Sequence, residues 1–337
     1  MATERVIVIG ASAGGLVALR SLVSRLRADL AAPVLIAMHV AHDHRSLLPG
    51  ILTRAGELPA REAEDGEPLA RGRVYVAKPG CHMLIQDHKI CLSNGPKENG
   101  FRPSIDVLFR SAAYHLGPAV IGVVLSGSLD DGSSGLYAIK RMGGTAVVQD
   151  PAEAEYGSMP LSALSRVAID HKLSAEAIGA LLNELAVQAP ASKTANADQY
   201  RKQLQADVAI SANDSAFKMG IMDYGQPTRY TCPSCFGVLF KIDEGESQRF
   251  RCHTGHGFSL ASLLEEQRAH IEDRLWQGLE SLQENIALLT ATASRLRELG
   301  EHGPAEEFER KIVEANELAD KLRGLALDEV RSDAPAE

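Results

Sequence analysis

The chain has 337 residues, too many for one small core, so two domains with connecting elements are expected. Its net charge of -9, from 35 Lys and Arg against 44 Asp and Glu, argues against a nucleic-acid binder, whose affinity rests on cationic side chains neutralising phosphates. No apolar run approaches the roughly 20 residues that span a membrane, so membrane insertion is not expected. The first residues, MATERVIVIG, lack a leader pattern and enter a strand at once, which makes the cytoplasm the expected compartment. Three of the five cysteines crowd into residues 232–252; the odd count and that clustering point to a metal rather than to disulfides.

Residues 6–15 read VIVIGASAGG. Val6 to Ile9 form a continuous apolar run typical of a buried strand, and LVALRSLVSRLRADL (16–30) carries apolar residues at helical spacing. Between them, Gly10-Ala11-Ser12-Ala13-Gly14 fits G-x-S-x-G, a tight strand-to-helix turn that lifts a serine oxygen clear of the sheet edge. The helix that follows offers unpaired N–H groups and a positive dipole end to a developing oxyanion. The same shape also serves a phosphate-binding turn or a plain close contact between strand and helix. There is no G-x-G-x-x-G and no Lys-Ser/Thr pair, so a nucleotide site would be incomplete. PVLIAMHV is the next strand. His39 stands at its end, where a base for Ser12 is needed, although a satisfied structural histidine is the alternative. His42 and His44, in the polar loop AHDHR, read as solvated.

RVYVAKP reads as another strand, and HMLIQDHKICLS as an antiparallel hairpin added to the sheet of these strands, with His82 in a structural role at its start. SIDVLFRSAAYHLG and GLYAIKRMG read as helices closed by glycine. Arg102 and Ser104, in RPSID, are candidates for a place near the site, but the stronger reading gives Ser104 the position of an N-cap, with Asp106 in the first turn. Between these helices, Val120 to Leu125 form a strand, and the loop after it carries Asp130 and Asp131 between Gly127 and Gly132. An aspartate there suits the group that orients a catalytic imidazole. It equally suits a turn or a helix cap, and each of the pair could play either part. TAVVQD is a further strand, and a helix from about Ser174 to Gln188 closes the domain. Apolar strands alternating with helices predict an α/β fold: a doubly wound, mostly parallel sheet covered on both faces.

Seven segments in order resemble the catalytic domain of CheB-type protein-glutamate methylesterases of bacterial chemotaxis. They are VIGASAGG, VLIAMHV, AEDGEPL, GRVYVAKPGCHM, FRPSIDVLFRSAA, VVLSGSLDDGSSGL and VVQDPAEAEYGSMP. The resemblance covers 5–187 and implies a Ser–His–Asp triad in that chain order, with Ser12 as nucleophile, His39 as base and Asp131, directly before the motif's glycine, as the orienting acid. It implies hydrolysis of glutamyl methyl esters on receptors or other signalling proteins, deamidation of glutamine, and no cofactor for catalysis. Backbone N–H groups near Ala13 and Ser128 would hold the oxyanion. Two departures stand out. Ala13 replaces the family's frequent Thr, and Ser128-Leu129 replace a methionine and a glycine. Only about five residues precede the first strand, where family members usually carry a phospho-receiver domain, so control by such a domain in cis is not expected. The second reading is a signalling scaffold with little or no activity, working through the C-terminal parts of the chain.

Those parts differ in character. Residues 189–227 are polar and Ala/Ser/Thr-rich and read as a linker after a catalytic domain at 1–188. A small module at 228–258 holds Cys232-x-x-Cys235, then sixteen residues, then Cys252 with His253 or His256. Two such knuckles suit a tetrahedral zinc site, with free reduced cysteines as the alternative. Cys252-x-x-x-His256 spans it more comfortably than the adjacent His253, so Cys232, Cys235, Cys252 and His256 are the expected ligands of a structural, closed site. The module also resembles zinc-ribbon extensions of some methylesterase homologues. Residues 259–330 form two amphipathic helices broken at EHGP, with a stripe of Leu275, Leu279, Leu282, Ile286 and Leu289. They are expected to pack as a hairpin, with self-association through the same helices as the other use of the stripe.

Overall fold

A computed structural model describes residues 4–39, 46–191, 197–213, 216, 218–221, 225–245 and 247–332. His42 and His44 lie outside them. Residues 1–263 form one compact unit and 264–337 a second.

The first unit is built on a seven-stranded sheet in the order β3-β4-β2-β1-β7-β8-β9. Its strands are β1 (Val6–Ala11), β2 (Val34–Met38), β3 (Ala60–Glu62), β4 (Val74–Val76), β7 (Val120–Val124), β8 (Thr145–Gln149) and β9 (His171–Leu173). Every pairing among them is parallel. The period of two along β1 divides its side chains between two cores. Val6 and Val8 meet α3 (Ile105–Leu116), α4 (Ser133–Arg141) and α5 (Ser158–Arg166) through Leu108, Phe109, Leu136, Ile139 and Met159. Ile7 and Ile9 meet α1 (Gly15–Val23), α2 (Leu48–Ala55) and α6 (Ala175–Val187) through Leu19, Leu22, Leu52, Ile178 and Leu182. The chain is therefore doubly wound, as its alternating pattern predicts, and β2, β1 and β7 lie side by side at the centre. The predicted hairpin forms as β5 (His82–Gln86) and β6 (Lys89–Ser93), but as a separate two-stranded sheet rather than an addition to the main one.

The stretch read as a linker holds α7 (Ala197–Ser211). Tyr200 and Leu204 are buried in the core beside α3, and Val208 packs on Val107 and Leu84. The polar composition hides three apolar residues at i, i+4 and i+8, enough to seat one helix face. The Cys-rich module is a four-stranded antiparallel sheet, β10 (Gln226–Thr231), β11 (Val238–Glu244), β12 (Ser247–Cys252) and β13 (Gly257–Ser259), within the same compact unit. The chain continues into α8 (Leu260–Glu298) and α9 (His302–Ser332). In the second unit, Leu279, Ala293, Ala305, Ala319 and Ala326 are buried, and Arg297 pairs with Glu309 at 2.7 Å. Leu279 of the predicted stripe is therefore covered, and Leu275, Leu282, Ile286 and Leu289 are half-buried beside it. Among the described residues, no helix is long and apolar enough to cross a membrane.

Candidate active site

Three adjacent strands end at one place. Ser12 follows β1, His39 follows β2, and Asp131 stands in the loop after β7. The parallel ladder continues to their tips: the N–H of Leu125 donates to Gly10 O (2.9 Å), that of Ser12 to Ser126 O (2.9 Å) and that of His39 to Ala11 O (3.3 Å). The turn itself is sterically fixed. Gly14 sits at φ 67°, a left-handed conformation that favours glycine, just before α1. A Cβ on Gly127 would fall 2.9 Å from that of Ser12 and 2.6 Å from the end of Met159, so only glycine lets the β7 loop approach the serine.

The side chains converge. His39 Nδ1 lies 3.0 Å from Ser12 Oγ, and His39 Nε2 lies 2.8 Å from Asp131 Oδ2. A carboxylate only accepts, so Nε2 carries the proton and Nδ1 presents its lone pair to the hydroxyl. Phe101 stacks on the imidazole with ring centroids 3.6 Å apart and planes 6° from parallel. The buried Asp131 also accepts from the N–H groups of Ile105 (2.8 Å), Gly132 (3.1 Å) and Asp106 (3.2 Å), from Ser104 Oγ (3.0 Å) and from Asn99 Nδ2 (2.9 Å). Burial alone would raise this carboxyl. The hydrogen bond from His39, with the Ile105 and Asn99 bonds, outweighs it and holds Asp131 below the ordinary aspartate range. Its neighbour Asp106 goes the other way: burial first, then the Asp131 charge, pushes it well above its ordinary value. Of the aspartate pair, Asp131 faces the imidazole, and Asp130 instead meets Arg166 at 2.5 Å and Ser259 Oγ at 2.6 Å.

Ser104 occupies the N-cap position of α3 but makes no capping bond with its side chain. Its hydroxyl serves Asp131 instead. Arg102 donates to the carbonyls of Asn94 and Gly95, each at 2.8 Å, rather than to the site. The structural reading of His82 fits its surroundings. It is buried, its Nε2 donates to Pro96 O (2.9 Å), and its Nδ1 accepts from Ser104 N–H (3.3 Å). Desolvation lowers its pKa to about 4. Asn99 and Phe101 were not singled out by the motifs. Their signal was the Asn99-Gly100 dipeptide, a strong turn former. Among the described residues, neither Ala13 N–H nor Ser128 N–H has a protein acceptor. Leu129 takes φ 61°.

In the Cys-rich module, two knuckles face each other. In the first, Cys232 N–H donates to Gly237 O (2.8 Å); in the second, Cys252 N–H donates to His256 O (3.0 Å). The Sγ atoms of Cys232, Cys235 and Cys252 and a ring nitrogen of His256 all lie within 4.8 Å of one another. Cys235 and Cys252 are 3.6 Å apart, and His256 Nδ1 is 3.6 Å from Cys252 and 3.7 Å from Cys232. Zinc with S and N ligands at about 2.3 and 2.0 Å separates them by roughly 3.5–3.8 Å, so the donor set fits that ion. His253 stays out of the cluster, its ring lying against Gly237.

The chain is similar to known proteins in sequence and fold. A family model described as CheB methylesterase matches residues 7–182. A protein of Leptospira interrogans is 41% identical over 180 residues, covering 53% of this chain and 93% of its own. Relatives named protein-glutamate methylesterase/protein-glutamine glutaminase occur in Anaeromyxobacter dehalogenans (38% identical over 184 residues, 55% of this chain, 54% of the relative) and Hahella chejuensis (39% over 184, 54% and 53%). The chain thus spans about half the length of these two. The crystal structure of the Thermotoga maritima CheB methylesterase catalytic domain aligns with TM-score 0.52 and 31% identity, over 54% of this chain and 98% of that one. With the family model matching residues 7–182, just over half of its length, the chain belongs to the CheB methylesterase family.

Proposed function

We propose that this protein is a serine hydrolase that demethylates glutamyl methyl esters on chemotaxis-type receptors or other signalling proteins, with glutamine deamidation as a second reaction of the same site. The observation that carries this reading is the continuous hydrogen-bonded line from Ser12 Oγ through the His39 ring to Asp131. His39 Nδ1 takes the hydroxyl proton as Ser12 attacks the ester carbonyl. The tetrahedral oxyanion is held by the Ala13 and Ser128 N–H groups at the start of α1 and in the β7 loop, which have no acceptor of their own among the described residues. Collapse expels methoxide, which leaves as methanol with the proton from His39. Water, deprotonated by the same ring, then releases glutamate and restores the Ser12 hydroxyl. From a glutamine side chain the leaving group is ammonia. Asp131, kept ionised, fixes the ring's tautomer and balances the imidazolium.

The four ligands of the Cys-rich module are proposed to hold a structural zinc, with no role in the chemistry. All four positions of a tetrahedron are filled by protein, which leaves no site for water or substrate. The scaffold reading has no comparable observation behind it.

The test is methanol release from a radiolabelled methylated receptor, with ammonia release from its unmodified glutamines followed beside it. Release by the native protein and none by Ser12→Ala is expected. Equal release by both would remove Ser12 from the reaction.

A further inference from the structure

Residues 97–99 run beside β13 of the Cys-rich module. Gly257 N–H donates to Lys97 O (3.2 Å), and Asn99 N–H donates to Gly257 O (2.8 Å). The turn Glu98-Asn99-Gly100-Phe101 has φ of 54° at Asn99 and 81° at Gly100 and closes with reciprocal bonds between Glu98 and Phe101, the pattern expected of Asn-Gly. It inserts the buried Asn99 side chain between the module and the site. Its Nδ2 donates to Asp131 Oδ1 (2.9 Å) and Asp106 Oδ2 (3.0 Å). Its Oδ1 accepts from Ser259 N–H and Ser262 Oγ, each at 2.8 Å. All four bonding positions of the amide are used, and the partners fix which atom is oxygen.

The turn is anchored from behind. Glu98, fully buried, meets Arg251 at 2.9 Å and Arg249 at 3.7 Å from β12, and also pairs with Arg110 of α3. Arg251 donates at the same time to Gly255 O (2.7 Å), inside the second ligand knuckle. A continuous set of hydrogen bonds and ion pairs therefore runs from the Cys252–His256 knuckle to the oxygen of Asp131 opposite the one that faces His39.

We infer that Asn99 is a positioning residue for Asp131, and that the metal-binding module belongs to the catalytic framework by holding it. The inference rests on the triad reading above. The other donors to Asp131 come from His39, the start of α3 and its own loop. Asn99 alone among these donors is held on its far side by the module. Without Ser259 and Ser262, both lone pairs of its amide oxygen lose their partners, and the amide can turn away from Asp131. The carboxylate is then less closely fixed, and so is the imidazole it orients. A group misplaced by an ångström can cost about 100-fold in rate.

The experiment uses the full chain and three variants, Ser12→Ala, Asn99→Ala and Ser262→Ala. Methanol release from a glutamyl methyl ester peptide gives kcat and KM, and proton NMR gives the downfield resonance of the His39 N–H shared with Asp131. Asn99→Ala should lower kcat about tenfold or more with KM little changed, and should move or broaden that resonance. Ser262→Ala, which touches no proposed triad member, should do the same to a smaller degree while circular dichroism stays native. Native kcat and an unmoved resonance in both variants would overturn the inference while Ser12→Ala remained inactive. Activity in Ser12→Ala would instead mark failure of the triad reading. If Asn99→Ala does not fold, Ser262→Ala decides by the same two readouts.

Discussion

Leu129 takes a left-handed backbone conformation without being glycine. The steric cost of that conformation is roughly 1–2 kcal/mol, partly offset in any glycine variant by about 0.5–1 kcal/mol of added freedom in the unfolded chain. Leu129→Gly should therefore raise stability by about 0.5–1 kcal/mol in denaturant titrations; a loss of stability would show that the leucine side chain contributes more than its backbone costs. His82 carries a pH dependence. Its folded pKa, lowered from 6.5 to about 4 by desolvation, means that the unfolded chain takes up the proton first as pH falls. Its stabilising contribution is whole above about pH 6.5 and is lost progressively down to about pH 4, by about 3 kcal/mol at most. Unfolding free energy measured from pH 7 to 4 should fall with that curvature, and His82→Gln should flatten it. A profile unchanged by the substitution would contradict the assignment. Because His82 accepts from the N–H of Ser104, whose hydroxyl serves Asp131, its protonation acts one residue away from the proposed triad.

The Cys-rich module has a small core, made of Leu239, Phe250, Phe258 and Leu263 with the cysteines. A core of that size is weak alone, and the proposed zinc would add to its stability. About one zinc per chain is expected in the purified protein by elemental analysis, and Cys235→Ser should lower it and bring forward a local unfolding step seen as early amide exchange in β11 and β12. Unchanged zinc content would rule out the four-ligand site. The same element shows what sequence periodicity conveys and what it leaves out. The spacing of Cys232, Cys235, Cys252 and His256 could be read directly, because a knuckle is a local structure. The docking of the module on residues 97–99 could not, because Glu98, Arg249, Arg251 and Asp207 are charged residues that read as solvated surface until the fold buries them together. The helix α7 was hidden for a related reason, since three apolar side chains in a polar stretch carry little periodic signal.

At the scale of the molecule, the doubly wound sheet was legible because its strands are continuous Val/Ile runs, and the places of Ser12 and His39 followed from each standing where such a run ends; position left Asp130 and Asp131 equivalent, and only the family resemblance separated them. Asn99 and Phe101 were not legible, since their roles depend on loops meeting across the sheet edge. The claim on which the account rests is that three side chains brought together by β2, β1 and β7 act as one unit. Groups that act as a unit lose their effect together rather than multiplicatively. The most direct measurement is single-turnover methanol release by the native protein, Ser12→Ala, His39→Ala and the double variant, with folding checked for each. The account predicts that each single change lowers the rate by about 1,000-fold or more and that the double variant is no slower than either. Near-native activity in His39→Ala, or losses that multiply in the double variant, would contradict it.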